Sequence, residues 1–379
     1  MARLGDICIQ ITDGSHNPPM GVEQSNYLML SSKNIDDDYI TLNDPRYLSQ
    51  EDFEAENRRT NIKPNDLLIT IVGTIGRVAI VPNSLTEFCV QRSVAVLKPK
   101  PEIVYNRFLM HYLQSMRPYL EQESRGVAQK GIYLKQLSNL SIILPPLDEQ
   151  RKIAAVLDKV SDLIAKRRQQ LDKLDEMVKS RFIELFGDTP DNEKQTMADI
   201  CKIITDGTHQ PPKFTSTGVP FLFVSNIVTN EIHYDAEKFI SEETYAELTK
   251  RTPIAIGDIL LSTVGSYGHP AIVKSDKPFC FQRHIAYLKP NADMVNSEYL
   301  RSAILSADVQ RQIDERVKGI AQKTLNISEI RKLRLPVPPV DQQEQFAVFV
   351  AQTDKSKYRQ EKCIGFFQCL EKSIRQEWL

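Results

Sequence analysis

Short apolar runs separated by turn residues make up most of the chain, and they predict strands joined by tight turns. Runs such as Leu67 to Val72 and Val94 to Leu97 lie between Asp-Gly, Gly-x-x-Gly and Lys-Pro turns. A stretch near residues 105–123 instead has the spacing of a helix. This mixture of strands and helices predicts globules of the mixed α/β class.

Two longer segments have a helical period. Residues 148–186 contain neither glycine nor proline, and their apolar residues recur at alternating spacings of three and four, as in long paired helices. Residues 341–379 follow the same period more weakly, with a polar middle broken only by Tyr358. At about 1.5 Å per residue such a helix is roughly 58 Å long, so we expect a spacer. In residues 148–186 this apolar stripe, here called the seam, consists of Ile153, Leu157, Val160, Ile164, Leu171, Leu174, Val178 and Leu185, and Arg167 and Arg181 occupy two further positions of the same repeat.

The chain is an internal duplication. DICIQITDGSHNPP at residues 6–19 returns 193 positions later as DICKIITDGTHQPP at residues 199–212. The same offset joins GVAQK with GIAQK, which begin at Gly126 and Gly319, and PPLD with PPVD. The offset changes to 192 and 191 between these points, which indicates short loop insertions within a shared fold.

We therefore predict two similar globules joined by two long antiparallel helices, which form a coiled-coil-like spacer with approximate two-fold symmetry. A parallel pairing is disfavoured because the chain would have to return along the full helix within the second globule. The predicted boundaries are 1–147 and 188–340 for the globules, and 148–187 and 341–379 for the helices.

Composition narrows the class of protein. A length of 379 residues excludes one small domain, and 48 Lys and Arg against 49 Asp and Glu give a net charge of −1, which does not favour a nucleic-acid binder. No apolar run is long enough to span a membrane, and the start, MARLGDICIQ, lacks a signal segment, so a cytoplasmic location is expected. The six cysteines form no Cys-x-x-Cys pair, which agrees with a reducing compartment.

The arrangement of motifs resembles that of the specificity subunits of type I restriction-modification systems, over essentially the whole chain. Each copy has Asp-Gly-x-His-x-Pro-Pro, a Gly-x-x-Gly turn, a Gln-Arg strand and a Pro-Pro-x-Asp sequence before a long helix. The resemblance implies two target-recognition domains, each reading half of a split double-stranded DNA sequence. It also implies helices that set the unread gap and dock two methyltransferase subunits, with restriction and translocase subunits attached through them.

The same resemblance implies no catalysis in this chain. S-adenosylmethionine, ATP and Mg²⁺ are expected on the partner subunits, and no metal site is expected here, because neither copy supplies three clustered ligands.

Candidate DNA contacts fall into two groups. Polar residues present in both copies are expected to contact the DNA backbone, because base readers should differ between domains that read different half-sites. The alternatives remain open that the loop histidines satisfy backbone groups, and that each arginine of the Gln-Arg pairs forms a strand-end salt bridge. The shared candidates are His16, Asn34, Gln91, Arg92, Gln129 and Lys130 in the first copy, and His209, Asn226, Gln282, Arg283, Gln322 and Lys323 in the second. Candidates for base reading lie where the copies differ, namely Arg77 and His269 first, with Lys33 and Tyr267.

The residues at the start of each long helix are interpreted first as signals for the start of the helix, and second as a candidate docking surface for methyltransferase subunits. These residues are Pro146, Glu149 and Gln150 in the first copy and Pro339, Gln342 and Gln343 in the second.

Two other functions are compatible with parts of the sequence. Asn17-Pro18-Pro19 is similar to the signature of N6-adenine methyltransferases, but Met20 stands where an aromatic residue is expected, so we interpret the match as accidental. A coiled-coil scaffold that does not bind DNA is the second alternative.

Overall fold

A computed structural model describes residues 1–124, 130–319 and 323–378. The chain forms two compact units. Residues 1–167 and 363–379 make up the first, and residues 168–362 make up the second. Each unit therefore contains one globule with the start of one long helix and the end of the other.

The first copy of the repeat folds into short strands and helices that lead into a long helix. In chain order they are β1 (Ala2–Arg3), α1 (Leu4–Ile7), β2 (Cys8–Asp13), β3 (Tyr27–Leu30), β4 (Arg46–Leu48), α2 (Gln50–Thr60), β5 (Leu67–Thr70), β6 (Val78–Ile80), β7 (Phe88–Val90), β8 (Val94–Pro99), α3 (Asn106–Ser115), α4 (Arg117–Glu123), α5 (Leu134–Ser138), β9 (Ser141–Ile142) and α6 (Leu147–Phe186).

The second copy repeats this order element for element. Its elements are β10 (Gln195–Thr196), α7 (Met197–Ile200), β11 (Cys201–Asp206), β12 (Val219–Leu222), β13 (Phe239–Ile240), α8 (Glu242–Leu248), β14 (Ile259–Ser262), β15 (Pro270–Ile272), β16 (Cys280–Phe281), β17 (Ile285–Pro290), α9 (Ser297–Ile304), α10 (Ala307–Arg316), α11 (Ile327–Ile330), β18 (Arg334–Leu335) and α12 (Val340–Trp378).

Two sheets lie at the centre of each globule. In the first, β2, β8, β5 and β6 form an antiparallel sheet, and β3 pairs antiparallel with β4 and parallel with β7. In the second, β11, β17, β14 and β15 take the same order, as do β13, β12 and β16. Even the bulge recurs, between Cys8 and Gln10 in β2 and between Cys201 and Ile203 in β11. The mixed α/β fold expected from the sequence is confirmed.

The larger sheet of each unit is covered on both faces, which explains why its central strands are apolar without alternation. In the first unit Leu68 and Val96 pack towards Phe88 of the smaller sheet. Leu67 and Leu97 face the opposite way, into the core formed with α3 and α6. The long helix is thus part of the core of the globule that it follows.

The two long helices are antiparallel within the second unit. The ring of Phe186, at the end of α6, lies 5.7 Å from that of Phe346, near the start of α12. Eleven residues earlier in α6, Asp175 forms an ion pair with Lys357, which lies eleven residues later in α12. In the first unit, Ile164 of α6 and Ile374 at the end of α12 belong to one apolar core.

The helix expected near residues 105–123 is divided in two. Helix α3 ends at Ser115 and α4 begins at Arg117, with Pro118 in its first turn. Proline has no N–H to continue the hydrogen bonds of the preceding helix, so a helix boundary at this point is expected physically.

Candidate nucleic-acid interface

The Asp-Gly turn after the first strand of each sheet lies against the Gln-Arg segment. In the first unit the Ser15 N–H donates to the Val90 carbonyl at 2.9 Å, and the Arg92 N–H donates to the Ser15 carbonyl at 2.8 Å. Gly14 permits this approach, because a Cβ there would lie 1.8 Å from the Val90 carbonyl oxygen. His16 and Arg92, predicted from separate motifs, are therefore brought together.

The second unit has the same contact. Thr208 bridges to Gln282 as Ser15 does to Gln91, and the Arg283 N–H donates to the Thr208 carbonyl at 3.1 Å. A Cβ on Gly207 would lie 2.3 Å from a backbone oxygen. Burial and the neighbouring Arg283 lower the pKa of His284, which favours the neutral imidazole.

An arginine that was not among the sequence candidates completes this site in each unit. Asp13 binds His16 Nε2 through Oδ2, at 2.8 Å, and binds Arg59, at the end of α2, through Oδ1. Asp206 binds His209 at 2.8 Å and Arg251 at 2.8 Å in the same way. The signal was present in the sequence, because Arg59-Thr60 and Arg251-Thr252 are related by the offset of 192.

The shared asparagines serve the loops themselves. Asn34 is fully buried, its Oδ1 accepts from the Ser31 N–H, and its Nδ2 donates to the carbonyls of Thr41 and Asn43. A direct contact between Asn34 and DNA, as expected from the sequence, is therefore wrong. Asn226 makes the corresponding three bonds, although it is partly exposed. A buried amide with every group paired stabilises a loop conformation.

Other candidate residues lie on loops near the same ends of the strands. The Ser32 N–H donates to Ser93 Oγ at 3.1 Å, which joins the loop of Lys33 to the Gln-Arg segment. Gly131 bridges to Val72, so the exposed Lys130 lies beside the Gly-x-x-Gly turn. In the second unit, the Lys323 carbonyl accepts from the Gly265 N–H at 3.1 Å. Gln129 and Gln322 lie outside the described residues.

The candidate base readers are exposed, as Lys33 is, or partly exposed, and all are already bound to neighbours in their own unit. Arg77 pairs with Asp36 at 2.8 Å. Lys33 pairs with Asp44 at 2.5 Å, and its hydrogen bond lowers the pKa of that exposed carboxyl group. In the second unit, His269 Nδ1 lies 3.2 Å from Asn230 Oδ1, and the Tyr267 hydroxyl donates to Asp314 at 3.0 Å.

Residues 24–175 and 190–363 each match the family model described as the type I restriction modification DNA specificity domain. The two matches together span most of the chain. The chain belongs to the type I restriction-modification specificity-subunit family. As a specificity subunit it carries two DNA specificity domains and is not itself an enzyme. The matches support neither a self-contained methyltransferase nor a scaffold that does not bind DNA.

Relatives and solved structures agree with this assignment. The EcoBI specificity subunit of Escherichia coli is 37% identical over 121 residues, which are 31% of this chain and 25% of that protein. The MjaVIII specificity subunit of Methanocaldococcus jannaschii is 20% identical over 318 residues, 77% of this chain and 72% of that protein. The solved S subunit from M. genitalium has the same fold, with a TM-score of 0.53 and 15% identity over 99% of this chain and 94% of that one. A chain solved in work on complex assembly and conformational transition of the type I R-M system has a TM-score of 0.56 and 17% identity, over 99% of this chain and 96% of that one.

In each copy of this specificity subunit, the glutamine two residues after the Pro-Pro-x-Asp sequence joins the long helix to its own globule. Gln150 is fully buried, its Oε1 accepts from the Tyr105 N–H at 2.8 Å, and its Nε2 donates to the carbonyls of Ile103 and Pro145 at 3.1 and 2.8 Å. A buried side chain with all of these groups paired offers nothing to another subunit, so the expectation that Gln150 forms part of a docking surface is wrong.

Gln343, also fully buried, makes the corresponding bonds in the second unit. They join its side chain to the Asn296 N–H and to the carbonyls of Met294 and Pro338, at 2.9, 3.0 and 2.7 Å. Its expected docking role is wrong for the same reason. The exposed candidates at the helix starts are Pro146, Glu149, Pro339 and Gln342.

Among residues 1–124, 130–319 and 323–378, no group of three or more His, Cys, Asp or Glu side chains is arranged to hold a metal ion. Within the same ranges, no helix is both long and apolar enough to cross a membrane.

Proposed function

We propose that this specificity subunit selects the DNA target of a type I restriction-modification complex, with each domain reading one half of a two-part sequence. The observation that carries this proposal is the repetition of one polar loop set, in which a Ser-His or Thr-His pair lies against a Gln-Arg pair, in two units of the same fold. Arg92 and Lys130 are exposed and form no ion pair with the described residues. Their side chains are therefore available to DNA phosphates.

Base reading belongs to the positions at which the two copies differ. Arg77 and His269 occupy matching places after the Gly-x-x-Gly turns, and Lys33 and Tyr267 have no equivalent side chain in the other copy. An arginine can donate two hydrogen bonds to guanine, whereas an imidazole presents one donor and one acceptor, so the two sites would prefer different bases. When Arg77 binds a base, that contact would take the place of its ion pair to Asp36.

The remaining activities belong to partners in this proposal. Two methyltransferase subunits dock through the long helices and the exposed Pro146, Glu149, Pro339 and Gln342, and restriction and translocase subunits join through them. S-adenosylmethionine, ATP and Mg²⁺ then bind to those partners, and the complex works in the cytoplasm, where the DNA is.

Methylome sequencing of cells that gain or lose this one chain tests the proposal. Methylation of a single split motif should appear with the wild-type chain and disappear without it. Exchange of Arg77 for Gln should alter one half-site only, and exchange of the neighbouring exposed Thr74 for Ser should alter neither. A motif that does not change when this chain is removed would refute the proposal.

The gap is tested by adding two turns, about seven residues, to each long helix. Because such an insertion adds about 10 Å, the gap should grow by about three base pairs while both half-sites stay the same. Altered half-sites with an unchanged gap would show that the helices are not the spacer.

A further inference from the structure

The Asp-His-Arg cluster, defined as Asp13, His16 and Arg59 in the first unit and as Asp206, His209 and Arg251 in the second, has nearly the same geometry in both. Side-chain exposures are 55, 12 and 55% for His16, Asp13 and Arg59. They are 56, 16 and 59% for His209, Asp206 and Arg251. In each unit a shielded carboxylate thus holds two cationic or potentially cationic groups that face solvent.

The arginine of each cluster is bound through one nitrogen only. Arg59 uses Nη2 for the Asp13 carbonyl and carboxylate. Arg251 uses Nη2 for Thr205 Oγ1 and for Asp206 Oδ1, at 3.0 and 2.8 Å. The three N–H donors on Nε and Nη1 have no partner in the part of the chain that the structure describes. A guanidinium held in one orientation with donors to spare is well suited to a phosphate oxygen.

The place of the cluster favours the same ligand. His16 follows Ser15, which pairs with Gln91, and Arg92 is exposed beside them. In the second unit the cluster lines a cavity of about 500 Å³, whose wall includes Glu247. Glu247 is exposed, as His209 and Arg251 are, and it would repel a phosphate, so the phosphate would bind to the side chains of His209 and Arg251.

We propose that Asp13 and Asp206 orient Arg59 and Arg251, together with the neighbouring histidines, to bind one backbone phosphate in each half of the DNA target. This inference rests on the proposed function and adds to it the ligand of these residues. Arg59 lies near the end of α2, which has 11 residues, whereas Arg251 lies after α8, which has 7 residues and ends at Leu248. Both copies nevertheless keep the cluster, as expected of a task common to two different half-sites rather than of base reading.

The test measures DNA affinity against salt for the full chain assembled with its methyltransferase subunits. The probes are a duplex with the motif found by methylome sequencing and a duplex with both half-sites scrambled. The logarithm of K falls as the logarithm of the salt concentration rises, and each phosphate contact contributes about 0.9 to the magnitude of this slope. Arg59→Gln and Arg251→Gln should each reduce the magnitude of the slope by about one and weaken binding about tenfold on both duplexes.

Matched controls separate this contact from loss of charge or loss of structure. Arg58→Gln and Lys250→Gln remove an exposed cation one residue away and should leave the slope unchanged. Asp13→Asn keeps the arginine but removes the carboxylate that orients it, so it should weaken binding and should lower the magnitude of the slope by no more than Arg59→Gln does. Melting temperatures of all variants identify any that fail to fold, and in that case the variant in the other unit provides the measurement.

Three results would overturn the proposal. The first is that Arg59→Gln and Arg251→Gln leave the slope equal to that of the wild type. The second is that Arg58→Gln and Lys250→Gln reduce the magnitude of the slope as much as Arg59→Gln and Arg251→Gln do. The third is binding by Asp13→Asn as tight as that of the wild type, which would show that the carboxylate does not orient the arginine. A wild-type complex that binds neither duplex would overturn the proposed function as well. This outcome is distinct from the other three because it is measured without any variant.

Discussion

Replacing Gln343 by alanine should destabilise the second unit strongly, because this side chain joins α12 to its globule. The substitution removes three hydrogen bonds, with the Asn296 N–H and the carbonyls of Met294 and Pro338. At about 1 kcal/mol for each, and with a small cavity left in their place, the expected loss is about 3 to 4 kcal/mol. That is a large effect for a glutamine at the start of a helix.

Urea denaturation followed by circular dichroism measures this loss. With a slope of about 2 kcal/mol/M, the midpoint of the affected transition should fall by about 1.5 to 2 M. Because the chain has two units that need not unfold together, hydrogen exchange by peptide should accompany the urea curves, and protection should fall around Asn296 and the start of α12.

The chain supplies its own controls for this prediction. The exposed neighbour Gln342 changed to alanine should alter stability by less than about 0.5 kcal/mol. Gln150→Ala should reproduce the loss in the first unit, where the same three bonds occur. If Gln343→Ala were no more destabilising than Gln342→Ala, the reasoning that these buried bonds fix the helix to the globule would be refuted.

Two further predictions concern titration and thiol chemistry. Burial opposes ionisation of Asp158, but hydrogen bonds from His111 and Arg107 outweigh it and hold the pKa of this carboxyl group below its ordinary value. Its stabilising effect is therefore present at neutral pH and lost as the pH falls below about 4, so Asp158→Asn should flatten that part of the melting temperature curve against pH. Iodoacetamide near pH 8 should alkylate the exposed Cys369 in the folded chain, and peptide mapping that finds equal labelling of the strand cysteines would contradict this. Burial raises the pKa to about 12 for each strand thiol, namely Cys8, Cys89, Cys201 and Cys280.

The general form of the fold could be predicted because its determinants are repeated or periodic. Matching segments at offsets of 191 to 193 predicted two copies of one globule, and the structure has the same strands in the same order in both. The apolar seam predicted a helix from residue 148, and α6 begins at Leu147. Periodicity is a property of the local sequence, so it is visible without tertiary structure.

Features that depend on tertiary contacts were missed or misassigned. Gln150 and Asn34 are polar residues near turns, which usually indicates exposure, yet both are buried with backbone partners far along the chain or across a loop. Arg59 was overlooked because it lies on a helix, remote in sequence from the Asp-Gly turn that it binds. The duplication could have identified it, since Arg251 stands at the matching position.

The duplication also resolves the apparent conflict between a net charge of −1 and a role on DNA. Many cations are neutralised within their own unit, as Lys98 is by Asp66 and Arg107 by Asp158. Pairs of this kind stabilise the globules and contribute little positive potential at long range. The cations that remain exposed beside the Asp-Gly turns, Arg92 among them, are few but recur at matching loops of both units. Net charge therefore says little about such a protein, because selecting a site requires a few oriented donors, whereas general affinity for the duplex can come from the partner subunits.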